Sequence, residues 1–133
     1  MTEEAALSAY VAGTISFSAF RNAVVDSTTF VFQPGGTVHI ASRRPLPRVQ
    51  IGPEDVQRAL TRYQNGEVTL EELATWGLVL HNLDAFEIQG VSESTEEEMW
   101  DVIGQLSIAS VNEAFDTPRV SILLQRLHGM TRG

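Results

Sequence analysis

Apolar positions recur at helical spacing from the first residues of the chain. Ala6, Leu7, Tyr10 and Val11 share one face of a helix predicted over 3–12, with Thr2 placed to cap it. Gly13 stands where a helix end favours left-handed backbone. Ser16 then opens a second helix over 16–25, whose stripe is Phe17, Phe20 and Val24. The period next changes to two. Thr28–Gln33 and 37–41 alternate around Pro34-Gly35-Gly36, which predicts a β-hairpin, and 48–51 adds a short third strand.

The helical pattern returns 53 positions later. Ala6, Leu7, Tyr10 and Gly13 reappear as Ala59, Leu60, Tyr63 and Gly66, while Ile15, Ser16, Phe17 and Phe20 answer to Val68, Thr69, Leu70 and Leu73. Both stretches, "ALSAYVAGTISFSAF" and "ALTRYQNGEVTLEEL", thus spell two amphipathic helices joined by a Gly-x-[Ile/Val]-[Ser/Thr] turn. The second pair is predicted over 54–64 and 69–80, with Pro53 in its first turn and a Thr69–Glu72 capping box. Its stripes are Val56, Leu60 and Tyr63, then Leu70, Leu73, Gly77 and Leu80. Further on, Thr95-x-x-Glu98 predicts the cap of a helix bearing Met99, Ile103 and Leu106. Pro118 starts a last helix through Val120, Leu123, Leu124 and Leu127 that ends at Gly129. Segments 42–48 ("SRRPLPR") and 89–94 read as loops.

The expected class is α+β within a single domain over 1–133, mostly helical with one small antiparallel sheet. Residues 1–51 hold a helical hairpin and the β-hairpin; residues 52–133 hold a second, similar helical hairpin and two C-terminal helices.

Composition narrows the functional classes. Of 133 residues 43% are hydrophobic and 20% charged, ordinary proportions for a globular domain. No apolar run approaches the ~20 residues that span a bilayer, and Thr2-Glu3-Glu4 is not the basic start of a signal peptide. The expectation is a cytoplasmic protein with no membrane partner. With no cysteine, disulfides, thiol catalysis and thiolate metal sites are excluded. All nine basic residues are arginine, a bias typical of GC-rich bacterial genomes.

Charge is strongly segregated. Residues 63–118 carry twelve acids and no arginine, residues 1–62 carry six arginines against five acids, and residues 119–133 carry three arginines and no acid. Such a field selects partners and sets association rates rather than the fold. It disfavours nucleic acid as a partner and favours a basic protein.

Catalytic and ligand signatures are sparse. There is no phosphate-binding glycine loop, no His-Glu-x-x-His and no Gly-x-Ser-x-Gly. His39, His81 and His128 fall on three different predicted elements, a spacing that gives no support to a metal site. Glu96, Glu97, Glu98 and Asp101 have the chemistry for a hard cation but lack calcium-loop spacing, so acids favouring a helix start is the better reading. Arg43, Arg44 and Arg48 suit a phosphate, and "RRPLPR" a polyproline-type ligand, yet a solvated loop explains both. Trp76 and Trp100 lie on helix faces, where aromatic residues are more often core than contact. No cofactor is expected.

The segment "AYVAGTISFSAFRNAV" resembles the opening helical hairpin of bacterial toxin-immunity proteins of the colicin-immunity and contact-dependent-inhibition kind. "ALTRYQNGEVTLEELATWGLVL" is similar to hairpins in small helical proteins encoded beside toxin genes. The hairpin "TTFVFQPGGTVHIA" is also similar to the start of the enhanced-serine-sensitivity family. The immunity resemblance covers about 40 residues and implies a non-enzymatic inhibitor of a basic, nuclease-like toxin domain. An acidic face would give such an inhibitor steered association. The face expected to bind comprises Asp84, Glu87, Glu97, Glu98 and Asp101, with Trp100 as an anchor. The alternative is a regulatory or scaffold module with a different bacterial partner. An enzyme built on the acids and His81 is a third reading.

Overall fold

A computed structural model describes residues 1–34, 37–111 and 115–131 of the chain. The turn glycines Gly35 and Gly36, together with Glu113 and Arg132, lie outside the described residues.

The first predicted hairpin is α1 (Glu3–Ala12) and α2 (Phe17–Ala23). Thr2 and Ser16 cap them, each side-chain oxygen accepting from the backbone N–H three residues on. The second is α3 (Pro53–Gln64) and α4 (Leu70–Asn82). The capping box at Thr69 is reciprocal: its Oγ1 accepts from Glu72 N at 3.1 Å, and Glu72 Oε1 accepts from Thr69 N at 2.9 Å. The α2 helix stops two residues short of the predicted 25, because Val24 leaves helical geometry and its carbonyl accepts from Ser27 N and Thr28 N, bending the chain into the sheet.

Strands β1 (Thr28–Gln33) and β2 (Thr37–Ser42) pair antiparallel in the register Thr28↔Ser42 to Gln33↔Thr37. The third strand, β3 (Val49–Gln50), joins a different sheet. It pairs parallel with β4 (Phe86–Glu87), an element the sequence pattern did not predict. The protein is therefore α+β and mostly helical, with the expected antiparallel hairpin plus one short parallel pair.

Two further boundaries differ from expectation. Helix α5 (Glu93–Ser107) is capped by Ser92, whose Oγ accepts from Thr95 N at 3.2 Å, so Thr95 lies in its first turn. Helix α6 (Thr117–Thr131) runs on through Gly129 instead of ending there. The loop before β3 is largely exposed, but Leu46 is buried and ties the proline-rich segment to the core, with Pro47 half-buried beside it.

One core gathers both hairpins and the C-terminal helices. It includes Leu7, Tyr10, Phe20, Leu60, Leu73, Leu80, Met99, Ile103, Leu106, Leu123 and Leu127. Helices α4 and α5 make the most extensive contact. Gly77 permits it: a Cβ built there would lie 2.8 Å from both Leu106 Cβ and the Ser107 backbone nitrogen. His81 faces Gly104 in the same contact, so the two helices run antiparallel. The two hairpins also pack on each other, α1 against α3 and α2 against α4. Trp76 is a core residue of this junction, its indole N–H donating to the Tyr10 carbonyl at 3.2 Å.

Candidate functional site

The acids singled out from the sequence sit on three places: Asp84 just after α4, Glu87 on β4, and Glu97, Glu98 and Asp101 in the second and middle turns of α5. Of the acids on α5, Glu93 and Glu96 lie in the first turn, where the backbone dipole favours negative charge, and Glu97, Glu98 and Asp101 lie beyond it. Side-chain exposure is 90% at Asp84, 59% at Asp101 and 42% at Glu98, so these carboxylates remain in solvent.

Arginines from outside the acidic segment reach back to them. Arg48 Nη1 donates to Asp84 Oδ1 at 2.6 Å and its Nε lies 3.5 Å from Glu87 Oε1. These partners, the Asp84 hydrogen bond first, raise the Arg48 pKa. Arg126 of α6 bridges Glu98 and Asp101, at 3.1 Å to each. Partial burial draws the Arg126 pKa down, and the hydrogen bonds to Glu98 and Asp101 outweigh it, for a net rise. The sequence expectation thus resolves into two separate pairs, each joined by one arginine. Among the described residues no ion pair connects the two. Glu97 is exposed and outside both.

Trp100 is half-buried and packs against the core edge-on to His81, ring centroids 6.3 Å apart and planes at 79°. It is neither a core residue like Trp76 nor a free surface ring. Among the described residues, no group of three or more His, Asp or Glu side chains is placed to hold a metal ion. No helix among them is long and apolar enough to cross a membrane.

A second feature was not singled out from sequence. Between the two hairpin turns lies a cleft of about 380 Å³. The first hairpin contributes Tyr10, Ile15 and Phe17, the second Val68, Leu73 and Trp76, and α3 adds Arg58 and Arg62. Phe17 belongs to an aromatic cluster running from the buried Tyr10–Phe20 stack, at 4.6 Å, out to Phe32 at the sheet, 5.3 Å from Phe17. The sequence signal was the repeat itself: two turns of one build, packed side by side, leave a space between them.

No family model, curated protein or solved structure matches the chain.

Proposed function

We propose that the protein is a non-enzymatic binding protein that neutralises a basic protein domain, of the nuclease-like toxin class, by docking it on the acidic face. The observation that carries this reading is the exposure of the carboxylates at Asp84, Glu97 and Asp101, the last two on the same helix as the half-buried ring of Trp100. Arg48 and Arg126 engage four of the five acids, yet five carboxylates against two guanidinium groups leave the face net negative. Carboxylates held by bridging arginines are oriented before a partner arrives, which lowers the ordering cost of binding.

A nuclease-like active site is basic because it receives phosphates. An acidic face is drawn to that site and, once docked, excludes the nucleic-acid substrate from it. Trp100 supplies an apolar centre for the contact, in the way aromatic residues anchor interfaces.

The test is co-expression with, and titration against, the basic toxin domain encoded by a neighbouring gene. Nanomolar binding that weakens with salt, together with loss of the toxin's activity, supports the reading. No binding at low or physiological salt overturns it.

A further inference from the structure

We propose that the cleft between the two hairpin turns is a binding site for a small organic acid with an apolar body. The site is distinct from the acidic face, and the inference does not rest on the function proposed for that face.

The cleft's volume, about 380 Å³, falls within the range of roughly 300–1,000 Å³ usual for small-molecule sites. Its walls are apolar and aromatic: Tyr10, Ile15 and Phe17 on one side, Val68, Leu73 and Trp76 on the other. Four charged side chains line it. Arg58 is engaged by Asp55 at 3.1 Å, and Glu72 is held in the Thr69 capping box. Glu67 is exposed, while Arg62 is half-buried.

The two arginines and two glutamates of the lining balance in charge, and Arg62 is the group placed to meet an anion. Its Nη1 donates to the Gly13 carbonyl at 2.7 Å, which fixes the guanidinium against the turn of the first hairpin. Among the described residues it has no carboxylate partner. A guanidinium has five N–H donors in a planar fork suited to a carboxylate, and this one is oriented with a single carbonyl acceptor. A half-buried, oriented cation beside an apolar wall matches a ligand that joins one carboxylate to an aromatic or aliphatic body. Trp76 and Tyr10 give the body a rigid surface, since their own bond to each other fixes both elements.

The experiment follows backbone amide nitrogen–proton correlation spectra during titration with phenylacetate, indoleacetate and octanoate, each compared with its primary amide. The expected result is that shifts concentrate at Gly13–Phe17 and Glu67–Val68, and that the acids bind about tenfold more tightly than the amides, the worth of one charge-assisted hydrogen bond. Arg62→Gln should abolish that preference while leaving amide binding in place. Because Arg62 also holds the turn, Val68→Glu is the second variant: it places a carboxylate in the wall without touching the Arg62–Gly13 bond and should weaken acids more than amides. The assignment is overturned if no probe shifts the turn amides, if shifts fall elsewhere, or if acids and amides bind equally to the unaltered protein. Retention of the acid preference in both variants would also overturn it.

Discussion

Gly13 and Gly66, 53 positions apart, turn the chain with the same backbone, at φ +77° and +75°. In each turn the glycine N–H donates to a tyrosine carbonyl three residues back, Tyr10 or Tyr63, at 3.1 Å. The N–H of the next residue donates five residues back, to Ala9 or Arg62, at 2.9 Å. This is the bonding by which a left-handed residue closes a helix end. The sequence repeat is therefore a repeat of conformation.

The two glycines should nonetheless respond differently to substitution. A Cβ on Gly66 meets nothing within 4 Å, so Gly66→Ala bears the left-handed backbone cost alone, about 1 kcal/mol. A Cβ on Gly13 runs into Arg62 Nη1. Gly13→Ala should therefore add the loss of the Arg62 hydrogen bond, roughly another 1 kcal/mol. In an Arg62→Ala background the extra loss at Gly13 should vanish. Equal melting-temperature losses at both glycines in the unaltered background would refute this account of the turn.

Gly77→Ala should be more damaging than its small size suggests. The new methyl group would meet Leu106 Cβ and the backbone of Leu106 and Ser107, and backbone cannot rotate away. Overpacking of this kind costs about 1–3 kcal/mol. Denaturant melts read the loss. A compensating Leu106→Ala should recover little, since the Ser107 nitrogen would still obstruct the methyl group.

Acid sensitivity should trace in part to Glu3. Its pKa lies below the ordinary 4.5, first because the Ser27 hydroxyl donates to Oε2, at 2.5 Å, with Arg44 contributing and partial burial opposing. A carboxyl whose folded pKa is lowered stabilises the fold above its unfolded pKa, and that stability is lost as pH falls through the folded value. The acid limb of the stability curve below pH 4.5 should accordingly be shallower in Glu3→Gln than in the unaltered protein. Parallel limbs in the two proteins would show that Glu3 carries none of the dependence.

Local patterns carried the elements, and distant partners decided the rest. The α1–α2 and α3–α4 hairpins were legible because caps, stripes and turn glycines lie within a few residues of one another. The start of α5 was misplaced because Ser92, Ser94 and Thr95 all offer hydroxyls. The Glu98 side chain that completes a box on paper instead reaches Arg126, 28 residues away. Strand β4 escaped because two residues pairing in parallel with Val49–Gln50 leave no period to read. The acids of the candidate face were visible, but the arginines that bridge them were not. Arg48 and Arg126 come from the basic flanks of the sequence, and only folding brings those flanks beside the acidic segment.

Those bridging arginines separate a partner-binding face from a merely solvated one. Glu97 is exposed and outside both arginine pairs, so Glu97→Lys changes the field of the face with little change to the fold. If the face steers a basic partner, this reversal should slow association several-fold at low salt, and added salt should shrink the difference. Asp101→Lys should slow it as well, with some loss of stability, because it sets a cation beside Arg126. Arg126→Gln moves the other way: it unpairs Glu98 and Asp101 and should speed association with the same partner. Trp100→Ala acts on neither charge and should raise the dissociation rate, as loss of an aromatic anchor does. Opposite signs for Glu97→Lys and Arg126→Gln in stopped-flow association are the signature of steering. If both variants associate at the unaltered rate, the acidic segment is a solvated surface and the partner binds elsewhere.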